Sequence, residues 1–192
     1  LVECHYSVDV IPDWKLEKVA GKYPLIVVPD WADVGLEVRD VLAKHARGGG
    51  KVLIAGVESA DLFSDLLGVK FLGEAAEQEA WIPGGEVFAN MRGRWQDVEP
   101  AGARSVAERY AAFDSTRDGK CAATVNRAGK GEIAAIYGPV GSVFAASHAP
   151  AAREFLRGVV GQVFRPAVRV EGPPTVEVSL RRKGGKLLVH LG

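Results

Sequence analysis

The sequence predicts an α/β fold: a flavodoxin-like, mostly parallel sheet flanked by helices. Three observations predict it. Short apolar, β-branched runs alternate with amphipathic stretches in the order β-α-β-α-β-α between Ser7 and Val69. The runs are uninterrupted, as in strands that helices cover on both faces. Glycine and proline fall at the joins, where helices stop and strands close.

The elements follow in order. "SVDVI" (Ser7 to Ile11) reads as a strand, stopped by Pro12 and Asp13. "DWKLEKVA" reads as a short helix with Asp13 as its N-cap. "YPLIVVPD" holds a second strand, Leu25 to Val28, with Pro24 tolerated at its start and Pro29 closing it. "ADVGLEVRDVLAKHARGGG" places Val34, Val38, Val41, Leu42 and His45 at helical spacing, with Asp33 as a candidate N-cap. "KVLIAG" is a third buried strand, and "SADLFSDLLGV" a third helix that Gly68 stops. Leu1 to Tyr6 reads as a helix tail, so one βα unit is expected to be missing from the front.

Residues 74–114 show no sustained period and read as an irregular insertion, with a hairpin turn at Pro83-Gly84-Gly85. Within it, Trp81 and Trp95 admit two readings: plugs of a local core, or anchors at an interface, where Trp is enriched. "KCAATVNRAGKGEIAAIYGPV" reads as an antiparallel hairpin turning at "RAGKG". "SHAPAAREFLRGVVGQVF" is a helix with Ser147 or His148 near its cap and Pro150 in its first turn. "TVEVSLRRKGGKLLVHL" is a further hairpin and is expected to start a small C-terminal β-domain. The division expected is 1–168 for the α/β domain and 169–192 for the truncated β-domain. Both ends read as cut, which predicts a domain of a longer protein.

Composition excludes several classes. Lys and Arg number 24, Asp and Glu 24, so the formal net charge is zero. A nucleic-acid partner needs a basic face, and none is expected; "RRKGGK" is read as a solvated hairpin tip. No run of 18 apolar residues offers a membrane span. "LVECHYSVDV" has no signal-peptide pattern, so a cytoplasmic setting is expected, with export left open to the sequence upstream. Cys4 and Cys121 lack metal spacing and read as free thiols. His5, His45, His148 and His190 form no H-x-x-x-H pair; no metal or cofactor is expected.

The run "RGGGK" invites a phosphate-loop reading. A phosphate cradle needs its glycines after a strand and before a helix. Here Gly48 to Gly50 follow a helix and precede a strand, so they read as a helix stop, with Lys44 and Arg47 suiting the negative end of the dipole.

"VDVIP", "YPLIVVPD", the helix ending in "GGGKVLIAG", and then "LLGV" resemble the trimerisation domain of family-42 β-galactosidases and related bacterial glycoside-hydrolase-like proteins. "GKGEIAAIYGPVG", "AAREFLRGVV" and "VEVSLRRKGGKLLVHL" resemble the later part of such chains. The resemblance implies a fold similar to class I glutamine amidotransferases and a position after a catalytic barrel that carries both catalytic carboxylates. It implies as partners that barrel and further copies of the chain. The expected role is a non-catalytic accessory and oligomerisation domain of a glycoside hydrolase that also lines the neighbouring cleft.

Amidotransferases place a nucleophilic Cys in G-x-C-x-G after a strand. The matching stretch is "GVESA", with Glu58 where the Cys would be and Ala60 for the second Gly; "SHAPA" only echoes the later His-Pro-Glu. No catalytic residue is therefore assigned. Ligands of α/β sheets gather beyond the strand C-terminal ends. Asp13, Asp30 and Glu58 follow strands, and Trp14 and Trp31 sit beside two of them. One reading is a ligand edge for a small carbohydrate. The other makes Asp13 a cap, Asp30 a loop residue and Glu58 a first-turn acid.

Overall fold

The computed structural model describes residues 1–114 and 118–192. In chain order the elements are α1 (Asp13–Val19), β1 (Ile26–Val28), α2 (Leu36–Arg47), β2 (Lys51–Ala55), α3 (Val57–Leu62) and β3 (Val69–Phe71). Then come β4 (Ala76–Gly84), β5 (Val87–Trp95), β6 (Val98–Pro100), β7 (Arg104–Arg109), β8 (Lys120–Ala128) and β9 (Gly131–Ile136). The chain closes with α4 (Val140–Ser147), α5 (Pro150–Val163), β10 (Val178–Lys183) and β11 (Lys186–Leu191).

The main sheet has five strands in the order β1-β2-β9-β8-β7. Its first two ladders, β1–β2 and β2–β9, are parallel, while β9–β8 and β8–β7 are antiparallel. The sheet is thus mixed rather than mostly parallel. Two causes combine. The hairpin strands β8 and β9 join this sheet, with β9 lying beside β2. And "SVDVI" is not a strand: Val8 is 42% and Val10 95% exposed. That segment runs past β10, where the Leu180 amide donates to Ser7 Oγ at 3.1 Å.

The uninterrupted apolar runs do mean two covered faces. In β2, Val52 and Ile54 pack with Leu42 and Ala46 of α2 and with Phe63. Leu53 and Ala55 face the other way, toward Phe155 and Val160 of α5 and toward Ile82 and Met91 of the β4–β5 hairpin. Alternate residues of one strand therefore feed two cores, which is why no polar residue interrupts it.

The three glycines after α2 are spent on that helix. Gly48 N donates to Lys44 O (3.0 Å), Gly49 N to Ala46 O (3.0 Å) and Gly50 N to His45 O (2.9 Å). Gly49 supplies the positive φ, +114°, that turns the chain into β2. Amides bonded to helix carbonyls cannot also cradle a phosphate. Gly50 lies against His45, whose ring would stand 2.1 Å from an added Cβ; burial pushes the pKa of that imidazole down.

Several helix starts differ from the sequence reading. Gly35, not Asp33, occupies the N-cap of α2, and Pro12 that of α1, which leaves Asp13 as the first helical residue. Helix α5 begins with Pro150 after Ala149, whose amide donates to Ser147 Oγ at 3.2 Å. Helix α4 lies in a stretch for which no helix is expected.

Residues 74–114 are not irregular. They form β4 and β5, nine residues each, then β6 and β7. The hairpin turns one residue later than expected, through Gly85 and Glu86, because Gly84 still pairs with Val87. The C-terminal hairpin forms its own two-stranded sheet.

Candidate functional site

Strand β2 is followed at once by Gly56, whose φ of +131° turns the chain directly into α3. This is the strand-to-helix elbow of "GVESA". The carboxylate of Asp30, just past β1, fills the space in front of it and accepts a hydrogen bond from Glu58 N at 3.0 Å. The buried Ser59 fastens the same loop: its Oγ donates to Pro29 O at 2.7 Å and accepts from Trp31 N at 3.1 Å. Asp30, Trp31 and Glu58 therefore meet at one edge of the sheet. Trp31 is 45% exposed there.

Asp13 and Trp14 do not join that group by any hydrogen bond or ion pair among the described residues. The Asp13 carboxylate accepts from its neighbour's amide, Trp14 N, at 2.7 Å, and the Trp14 ring is 77% exposed.

Sequence reasoning missed Arg94. This β5 residue forms an ion pair with Glu58. Its signal lay in "MRGRW", where Arg92 and Arg94 alternate with residues of the opposite strand face.

The elbow is not built like that of a nucleophile. A nucleophile elbow holds its residue on a sharp, strained turn. Here the strain sits on Gly56, and Glu58 lies within regular α3 with its carboxylate on Arg94. His148, in the echo "SHAPA", is occupied elsewhere: its Nδ1 is 2.7 Å from Glu3 Oε1. The hydrogen bond from His148 leads the effects that hold the Glu3 carboxyl below its ordinary pKa. What the edge offers is one indole face, a fixed carboxylate and a Glu–Arg pair, groups suited to holding hydroxyls.

Gly56→Ala tests the elbow. An added Cβ would lie 2.1 Å from the Asp30 side chain, at a φ that side chains rarely adopt. The expected loss is about 1–3 kcal/mol of stability from backbone strain, read as a lowered urea midpoint. An unchanged midpoint would show that the elbow relaxes freely.

A second polar cluster sits under the β4–β5 hairpin. Arg109, at the end of β7, pairs with Asp97, donates to Gln78 Oε1 at 2.9 Å and lies 4.7 Å over the Trp95 ring. Lys120 reaches the other Asp97 oxygen at 2.5 Å. Among the described residues no group of three or more His, Cys, Asp or Glu side chains is arranged to hold a metal ion. No helix there is long and apolar enough to cross a membrane.

No family model matches the chain, and no curated protein matches it. Solved structures do. The chain is similar to Gan42B, a GH42 β-galactosidase from G. stearothermophilus, with a TM-score of 0.68 at 17% identity over 95% of this chain and 27% of that one. It is similar to the β-galactosidase of Rahnella sp. R3, with a TM-score of 0.66 at 19% identity over 99% of this chain and 30% of that one. A cytoplasmic protein of Salmonella typhimurium matches with a TM-score of 0.57 at 12% identity, over 82% of this chain and 77% of that one. At these identities the likeness is one of fold. The chain spans less than a third of the length of the two β-galactosidases.

Proposed function

We propose that this chain is a non-catalytic accessory domain of a larger, carbohydrate-active glycoside hydrolase. Its work is subunit assembly and lining the cleft of a neighbouring catalytic barrel. One observation carries the reading: nearly the whole chain matches one segment of much longer β-galactosidases. The elbow supports the non-catalytic half, since Glu58 is helical and paired with Arg94. We read the fold as a variant of the class I glutamine amidotransferase type, in which β1, β2 and β9 keep parallel order around the elbow. A cytoplasmic setting belongs to this reading.

Light scattering on the 192-residue chain across a concentration series tests assembly. A stable dimer or trimer is expected, with a large interface behind it. A monomer at every concentration would remove the assembly role. Turnover of nitrophenyl glycosides by the chain, lost in Glu58→Gln, would overturn the non-catalytic half.

The alternative is a module that binds a small carbohydrate at the sheet edge. The exposed Trp31 beside Asp30 and the Glu58–Arg94 pair favours it. Calorimetric titration with monosaccharides and disaccharides should then give heat that Trp31→Ala removes. No heat with any of them would sink it.

A further inference from the structure

We infer that the outward face of the β4–β5 hairpin is a binding platform for an extended oligosaccharide. The hairpin register sets Glu77 opposite Arg94, Glu79 opposite Arg92, Trp81 opposite Asn90 and Pro83 opposite Phe88. Ala80, Ile82, Ala89 and Met91 are buried between them, so these four pairs share the face turned away from the core. Trp81 also exchanges two backbone hydrogen bonds with Tyr110, at 2.8 and 2.9 Å, which carries the face on to Tyr110 and Phe113.

The result is an aromatic patch with ordered polar groups beside it. Trp81 and Phe113 have ring centroids 5.3 Å apart, and Phe88 and Tyr110 6.4 Å. Phe113 is 60% exposed. Asn90 Nδ2 donates to Glu79 Oε1 at 2.7 Å, and the Tyr110 hydroxyl to Glu108 Oε2 at 2.7 Å. Each pair fixes a planar polar group. Asn90 Oδ1, Glu79 Oε2 and Glu108 Oε1 keep acceptor capacity that no protein donor takes up among the described residues. Beside Tyr110 a groove of about 410 Å³ runs along Pro83, Ser105 and Glu108.

A pyranose ring presents an apolar C–H face and a rim of hydroxyls. An aromatic face with a polar handle meets the first, and a few fixed polar groups meet the second. A protein partner fits less well. Interface cores are depleted of charge, whereas Glu77, Glu79, Arg92 and Arg94 occupy half of the paired positions here. The face is long: from Phe88 to Arg94 it extends roughly 20 Å at strand spacing. That length suits several sugar units rather than one. The inference does not rest on the assembly reading.

The test uses the full 192-residue chain, with calorimetry and tryptophan fluorescence. The probes are tetraoses of β-1,4-linked glucose, galactose and mannose, and of α-1,4-linked glucose. Saturable binding of at least one is expected. Phe113→Ala and Asn90→Ala should each weaken it tenfold or more, and Trp31→Ala should leave it unchanged. Trp81→Ala should abolish it; should that variant unfold, the exposed Phe113 and Asn90 positions decide. No saturable binding of any tetraose would overturn the inference. So would binding that survives both Phe113→Ala and Asn90→Ala. Binding lost only in Trp31→Ala would also overturn it, and would support the sheet-edge alternative instead. If Phe113→Ala breaks an oligomer and leaves sugar binding intact, the face is a subunit contact and the inference fails.

Discussion

Trp95→Ala is expected to lower the free energy of unfolding by about 3–5 kcal/mol, and Trp81→Ala by about 1 kcal/mol. The two tryptophans lie on the same hairpin and have opposite environments. Trp95 is fully buried in the core between the sheet, the hairpin and α5. Its Nε1 donates to Met91 O at 3.2 Å, and the Arg109 guanidinium lies over its ring. Gly138 approaches so closely that a Cβ there would sit 2.2 Å from the indole. A truncated side chain leaves a void that backbone on one side and a buried cation on the other cannot close. Trp81 is half-buried on the outward face, where solvent fills the space it vacates. Urea denaturation of both variants measures the contrast. A Trp95→Ala loss under about 1.5 kcal/mol would mean that the site collapses, and the core placement of the ring would be wrong.

The same contrast shows what the sequence could and could not convey. Both tryptophans sit in a stretch without apparent period, yet that stretch forms the longest hairpin of the molecule. Its buried inward positions are Ala80, Ile82, Gly84, Ala89, Met91 and Trp95. Ala80, Gly84 and Ala89 are small, and at Gly84 the cause is the close approach of α5: a Cβ there would lie 2.1 Å from Ala151 O. Alternation of small with polar residues carries little hydrophobic signal, so the strand period was hidden. Where the inward residues are large, as in "KVLIAG" and "GEIAAI", the strands were legible. The hairpin at "RAGKG" and the helix stop at Gly48 to Gly50 were legible as well, because turn chemistry is local. Sheet direction was not, since β9 pairs with β2 across a separation of about eighty residues that no local pattern encodes. "SVDVI" misled for the converse reason: β-branched residues mark a strand only where something covers them. At the candidate edge, Asp30, Trp31 and Glu58 could be placed from strand ends alone. Arg94 could not, because it arrives from the hairpin.

Arg109→Ala is expected to cost about 3 kcal/mol, the lower end of what breaking a buried ion pair costs. The side chain is 4% exposed and joins three segments: its own strand β7, Gln78 of β4 and Asp97 between β5 and β6. Removing it strands the Asp97 carboxylate and uncovers the Trp95 ring. The lower end applies because Lys120 still reaches Asp97, which is 25% exposed. Lys120→Ala, at a side chain 54% exposed, should cost less than about 1 kcal/mol. Arg109→Met restores the packed volume without the charge and should recover at least half of the loss. If it recovers nothing, the charge itself stabilises the fold; if Arg109→Ala costs no more than Lys120→Ala, the latch does not exist. Acid provides an independent reading. Burial would raise the Asp97 carboxyl, but the Lys120 hydrogen bond and the charges of Arg109 and Lys120 outweigh it and hold the group below its ordinary value. A depressed carboxylate contributes stability above its unfolded pKa and loses it as pH falls through the folded one. The decline in stability on acidification should therefore be shallower in Asp97→Asn than in the parent chain. Because this latch sets β4 against β7, it also fixes Trp81 beside Tyr110. Arg109→Met should then weaken sugar binding on the outward face even where the chain stays folded, through an aromatic pair no longer held in register.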